Sequence, residues 1–208
     1  MSYPDTLGLV LAGGRAQRMG GTDKMLIRIG GANIIDRVIA CLAPQCTGLV
    51  LSVGEADSRS AADGIPAVAD DVGGSAGPLA GILAGLDWAA ANAAKTDWVL
   101  SAPGDCPFLP RDLLARLHGA RSEERATVAC ASSGGRRHPV IALWPLALRR
   151  DLRRALAEEG LRKVDRFIAR YAVAIAEWPT APVDPFLNVN TPEDAAAAAR
   201  LAEQIPDI

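Results

Sequence analysis

The chain has 208 residues, half of them hydrophobic and 22% charged, which predicts one sizeable α/β domain over 1–208 that needs no disulfide or metal staple. A net charge of −2 leaves no basic footprint for nucleic acid, and no run of about 18 apolar residues is present to span a membrane. Cys41, Cys46, Cys106 and Cys130 form no C-x-x-C pair and the chain has two histidines, so free thiols in a reducing cytoplasm are expected rather than a zinc centre. The N-terminal residues lack the basic start and apolar core of a secretory leader, which agrees with a soluble, cytoplasmic protein.

Strands and helices alternate along the chain. Residues 7–12, LGLVLA, are a continuous apolar run of the kind buried on both faces of a parallel sheet. Ile34, Ile35, Val38, Ile39 and Leu42 have helical spacing. Strands follow at 48–54 and 64–70, and a helix from Pro78 to Ala94 opens with proline in its first turn. Residues 97–105 form another strand and 110–120 another helix, with Asp112 or the turn at Pro110 serving its start. Two further strands, 126–132 and 138–144, flank the turn Ser133-Gly134-Gly135. Residues 146–172 read as helical with a break near Gly160, and 173–178 as an edge strand. Thr191, Pro192, Glu193 and Asp194 then provide a cap, a proline at the first helical position and acids for an alanine-rich terminal helix. This order predicts a three-layer α/β/α fold around a mostly parallel, Rossmann-like sheet, with ligands at the carboxyl ends of the strands.

The loop after the first strand is the strongest chemical signal. Gly13 and Gly14 remove side chains that would hold a backbone away from a phosphate and let successive N–H groups point at one anion. Arg15, Arg18 and Lys24 add positive charge, so the segment suits a triphosphate. A Walker A loop is excluded, because Gly21 is followed by threonine with Lys24 three residues on, and G-x-G-x-x-G is absent. At the end of the strand at 97–105, Asp105 in PGDCPFL is placed to hold a magnesium ion, which takes one or two carboxylates and completes its octahedron with phosphate and water. Asp70 is balanced between a turn residue and a second acid facing the nucleotide.

These motifs carry a resemblance. Leu11-Ala12-Gly13-Gly14, Arg18-Met19-Gly20 and Asp23-Lys24 look like the signature of nucleotidyltransferases with a glycosyltransferase-A-like fold. With Gly77-Pro78-Leu79-Ala80-Gly81, Pro103-Gly104-Asp105-Cys106-Pro107, His138-Pro139 and Asn188-Val189-Asn190-Thr191-Pro192, the chain is similar, over essentially its whole length, to the molybdenum cofactor guanylyltransferases. The resemblance implies transfer of GMP from GTP to the phosphate of molybdenum-molybdopterin, with Mg²⁺ as cofactor and pyrophosphate released. It implies that the N-terminal part binds GTP, through Leu11, Ala12, Gly13, Gly14, Arg15, Lys24, Ser52, Asp70, Pro78, Leu79 and Asp105. Arg18, Lys24 and Asp105 would be catalytic, with Asp105 on the metal. Ser52 departs from the pattern, since the family has asparagine there. Guanine rests on the double glycine of LAGG, where the related cytidylyltransferases have LAAG.

On the molybdopterin side the candidates are Arg136, His138, Arg162, Lys163, Asn188 and Asn190. For the cations, a grip on the pterin phosphate and plain surface solvation stay open, and for His138 a packing role does too. Substrates are then GTP and molybdenum-molybdopterin, with cofactor-delivery and molybdoenzyme chaperone proteins as further partners. Alternative readings are a nucleotidyltransferase using CTP or a sugar phosphate, and a nucleotide-binding regulator without chemistry.

Overall fold

The computed structural model describes residues 3–13, 26–54, 64–69 and 77–204. Seven strands build the main sheet in the order β5-β4-β1-β6-β8-β7-β9. They are β1 (Thr6–Leu11), β4 (Gly48–Val53), β5 (Ala67–Ala69), β6 (Trp98–Pro103), β7 (Val128–Ser133), β8 (Arg136–Pro145) and β9 (Val173–Trp178). β1 pairs in parallel with β4 and β6, and β4 with β5. β8 runs against β6 and β7, while β9 is parallel to β7, so six strands point one way and β8 the other. The expected mostly parallel sheet is therefore present, with one inversion that periodicity does not encode.

Every residue of β1 is buried, because the strand lies in mid-sheet with helices on both faces. Alternation divides it: Leu7, Leu9 and Leu11 join one apolar cluster, and Val10 the other. The first cluster holds α2 (Pro78–Asn92), α4 (Arg149–Ala157) and α5 (Val164–Ile168); the second holds α1 (Ile34–Leu42) and α3 (Leu113–Glu124). These make three layers. On α2, Asp87 pairs with Arg149 at 3.3 Å and with Arg153, tying α2 to α4.

Two features were not anticipated. Arg28–Ile29 (β2) and Ala32–Asn33 (β3) form a small antiparallel hairpin. With Phe108, Val189 and α6 (Pro192–Gln204), its Ile29 and the adjoining Ile34 build a third apolar cluster. Two-residue strands are too short to show a period, which is why they escaped notice. The second is Asp112, which stands at the N-cap of α3 without capping it. Its carboxylate instead accepts the indole N–H of Trp178 at 2.9 Å, holding the end of β9 to the helix. The turn at Pro110 does serve the helix start, its carbonyl accepting the Leu113 N–H.

The β7–β8 hairpin turns on Gly134 and Gly135, both at positive φ (55° and 74°), the backbone that a two-residue primed turn requires. Beyond it β8 is irregular against β7, since Ala131 pairs with His138 but the preceding Cys130 pairs with Ala142. Pro139 lacks an N–H for the ladder and falls inside this bulge. At the start of α6, Thr191 Oγ1 accepts the Asp194 N–H, the cap that the sequence predicts, and Asp194 Oδ2 accepts the Thr191 N–H in return. No helix among the described residues is long and apolar enough to cross a membrane.

Candidate active site

The four strands β5, β4, β1 and β6 are parallel, so their carboxyl ends share one edge of the sheet. α2 runs from β5 back to β6, so its N-terminus lies at that edge too. At this edge the Ala12 N–H donates to Ser52 O at 2.8 Å, and the Gly104 N–H donates to Leu11 O at 3.0 Å. The loops leaving β1, β4 and β6 are thus stitched together through their backbones. Gly13 continues the close approach, for a Cβ on it would stand 3.2 Å from the Gly54 nitrogen.

Leu11, Ser52 and Leu79 are buried where α2 packs on this edge. Gly81 shows how: a Cβ there would meet Ser52 Oγ at 2.6 Å and Leu11 Cδ2 at 2.8 Å. The glycine of GPLAG therefore lets α2 lie close on β1 and β4, and the Ser52 hydroxyl faces this helix. Pro78 occupies the first turn of α2 and is exposed at the rim. Gly14, Arg15, Arg18, Lys24 and Asp70 lie outside the described residues.

Asp105, two residues past β6, is buried to 8% exposure, and its backbone carbonyl accepts the Val189 N–H at 2.9 Å. Its Oδ1 accepts the side-chain amide of Asn188 at 3.0 Å. Residues 103–107 and 188–192, far apart in sequence, are one structural unit. Asn190 donates its backbone N–H to Asp194 Oδ2, which joins the segment to the cap of α6. No group of three or more His, Cys, Asp or Glu is arranged to hold a metal among the described residues. The Asp105 carboxylate with an amide beside it still fits magnesium, a hard ion that keeps water and substrate phosphates as most of its ligands.

The other candidates lie on β8 and beyond α4. Arg136 and Arg137 open β8 and are exposed. Arg162 and Lys163 occupy the stretch between α4 and α5, as the break near Gly160 predicted. The Arg162 guanidinium donates to the carbonyls of Leu156 and Leu161, each at 3.0 Å, and so closes the end of α4. Its own carbonyl lies 3.9 Å from where a Cβ of Gly77 would stand, which brings this stretch beside the start of α2.

His138 is half-buried, and burial pushes its pKa below the usual 6.5. Its Nε2 lies 2.9 Å from Ser133 Oγ, which in turn donates to Asp184 Oδ1 at 2.9 Å. Phe186 packs on the imidazole with ring centroids 4.9 Å apart and meets Trp178 edge-on at 5.3 Å. Ser133 and Asp184 were not singled out in the sequence, because a serine before Gly-Gly and an aspartate before proline read as turn residues. Their signal was position: each lies within five residues of a motif, His138-Pro139 or Asn188-Val189-Asn190.

Residues 8–175 match the MobA-like NTP transferase domain model. The chain belongs to this family. Among curated members it is 58% identical to a molybdenum cofactor guanylyltransferase of Rhodopseudomonas palustris (strain BisB5), over 96% of this chain and 95% of the relative. It is 55% identical to one from Nitrobacter hamburgensis, over 97% of each chain. The crystal structure of molybdopterin-guanine dinucleotide biosynthesis protein A from Archaeoglobus fulgidus superposes with a TM-score of 0.73 at 23% identity, covering 96% of this chain and 100% of that one. The match to the curated guanylyltransferases thus runs over nearly the whole of both chains.

Proposed function

We propose that this chain transfers GMP from GTP to the terminal phosphate of molybdenum-molybdopterin, giving the guanine dinucleotide cofactor and pyrophosphate. The identity of 58% over nearly the whole chain to a molybdenum cofactor guanylyltransferase carries the reading. The bonding of Asn188 to Asp105 supports it, because it joins two motifs at the sheet edge where α/β folds bind ligands.

A phosphate oxygen of the pterin attacks the α-phosphorus of GTP; the new P–O bond forms as the bond to the β-phosphate oxygen breaks. The attacking phosphate is already ionised at neutral pH, so the protein need not supply a general base. The task left to the protein is to hold two polyanions in line and offset their charge. Backbone N–H groups of the loop from Gly13, with Arg15, Arg18 and Lys24, would take the triphosphate. Pro78 and Leu79 would border the base. Asp105 would hold Mg²⁺, which neutralises phosphate charge when bound. Arg136, His138, Lys163, Asn188 and Asn190 would face the pterin, with Arg162 shaping that wall through the end of α4.

The test is to incubate the purified protein with GTP, Mg²⁺ and molybdenum-loaded molybdopterin, and to follow the guanylylated product by mass spectrometry. Product with GTP, little with CTP, and loss of activity on chelation restored by Mg²⁺ are expected. Equal or better use of CTP would overturn the guanine assignment, and activity surviving exhaustive chelation the metal assignment.

A further inference from the structure

We propose that Ser133 and Asp184 hold His138 as its neutral Nε2–H tautomer, so that Nδ1 accepts a hydrogen bond from a ring N–H of the pterin substrate. The inference rests on the reading above and gives His138 a different task from gripping phosphate.

The hydrogen-bond pattern allows one solution. Ser133 Oγ lies 2.9 Å from both Asp184 Oδ1 and His138 Nε2, and a hydroxyl has a single proton to give. A carboxylate only accepts, so that proton goes to Asp184. The serine oxygen must then receive a proton, and Nε2–H supplies it. Asp184 cannot swing away easily, because the same Oδ1 also accepts the Phe186 N–H at 3.0 Å. Phe186 packs against the imidazole and fixes the ring plane.

With Nε2 committed, Nδ1 is left with a lone pair. It makes no hydrogen bond among the described residues. The residue is half-buried, whereas His118 is buried with its Nδ1 sealed. The position suits a substrate contact. His138 lies on β8, which pairs with β6, the strand that leads into Asp105. Both residues also touch one short segment, His138 at Phe186 and Asp105 at Asn188.

The charge state agrees. Burial lowers the His138 pKa and Arg136 lowers it further, against opposing pulls from Asp184 and Glu177. The ring is therefore neutral at pH 7.5 and Nδ1 is an acceptor there. Protonation would turn it into a donor, so the contact should fail as pH falls through a value below 6.5. Ser133 and Asp184 act here as positioning residues.

Three variants and one spectrum test this. His138→Gln keeps a donor for Ser133 but removes the acceptor at the Nδ1 position. It should raise KM for molybdopterin about tenfold, the worth of one hydrogen bond, with kcat and KM for GTP nearly unchanged. His138→Asn, whose carbonyl oxygen lies near the place of Nδ1, should recover most of that loss. Ser133→Ala should raise the same KM and Ser133→Thr restore it. The rise in KM at low pH should vanish in His138→Gln. On the ¹⁵N-histidine-labelled native protein at pH 7.5, the His138 signals should be those of a protonated Nε2 and an unprotonated Nδ1. An Nδ1–H tautomer, an imidazolium, or an unchanged molybdopterin KM in His138→Gln would overturn the inference alone. Absence of guanylyl transfer by the native protein would remove the functional reading and this inference with it.

Discussion

The chain's two histidines sit at opposite edges of the same sheet and make the same bond. His118 Nε2 meets Thr6 Oγ1 at 2.9 Å near the start of β1, and His138 Nε2 meets Ser133 Oγ at 2.9 Å at the end of β7. Their surroundings differ. His118 is 2% exposed, stacked under Tyr3 and edge-on to Trp98, with Arg121 lying over that indole. Its Nδ1 is buried without a partner. His138 is half-buried among Arg136, Asp184 and Glu177. One edge closes the core, and the other carries the polar groups assigned above to the proposed substrates. In a mostly parallel sheet this division is built in, because the carboxyl ends of the strands and the N-termini of the following helices collect on one side.

The sharpest way to break the contrast is Asp105→Ala. If the carboxyl edge is chemical and the amino edge structural, activity should fall by about 10³-fold or more in a guanylyl-transfer assay, while the thermal midpoint moves little. The Val189 N–H bonds to the backbone carbonyl of residue 105, so that link survives the substitution. Activity within about tenfold of native would move the chemistry away from this residue.

The second test lies at the other edge. Burial, aided by Arg121, lowers the His118 pKa to about 4, so the folded protein holds it neutral. The unfolded chain protonates it near 6.5, and between those values the unfolded state binds more protons. The stability from this site is complete above pH 6.5 and lost as pH falls towards 4. At about 1.4 kcal/mol per unit, the loss approaches roughly 3 kcal/mol. His118→Gln, which keeps a donor for Thr6 and cannot titrate, should flatten that part of the curve in denaturant melts at pH 7.5 and 4.5. It should leave KM for both substrates unchanged. The same substitution at His138 should move KM instead, so the pair of variants separates the edges.

A third test asks how far the carboxyl edge extends from Asp105. Asn188→Ala removes the amide that holds Oδ1 at 3.0 Å and should slow turnover about ten- to a hundredfold. If the amide only steadies the carboxylate, raising Mg²⁺ should recover part of the loss. No recovery with Mg²⁺ and a selective rise in molybdopterin KM would make the pterin contact proposed above its main task.

Much of this division was legible in the sequence, and the rest has physical reasons for being hidden. LGLVLA announced a strand buried on both faces, because that pattern depends on neighbouring residues; the anion loop read after it falls mostly outside the described residues. Asp105 stood out for the same reason, at the end of an apolar run. The inverted β8 did not, since its apolar stretch would read alike in either direction and orientation is set by the two-glycine turn before it. Nor could sequence place Asn188 on Asp105, 83 residues away, or show Asp112 spent on Trp178. Ser133 and Asp184 acquire a meaning only when the β7–β8 hairpin and the segment after β9 come together. Contacts that span the fold leave no periodic trace.

The smallest effect concerns the anchor of that last segment. Thr191 caps α6 through the Asp194 N–H, and Asp194 Oδ2 accepts the N–H groups of both Asn190 and Thr191. Thr191→Ala should cost about 1 kcal/mol, read as a shift in the denaturation midpoint. Because the Asp194 bonds to backbone remain, Asn188 should stay on Asp105 and turnover should hold within about twofold. Asp194→Ala removes the other half of the box and frees the Asn190 N–H, so it should cost a similar stability and also lower activity severalfold. If both variants lose activity equally, the cap itself positions the carboxyl edge. If neither does, the Asn188 and Val189 bonds to Asp105 are enough, and the third apolar cluster beneath Val189 anchors the segment instead.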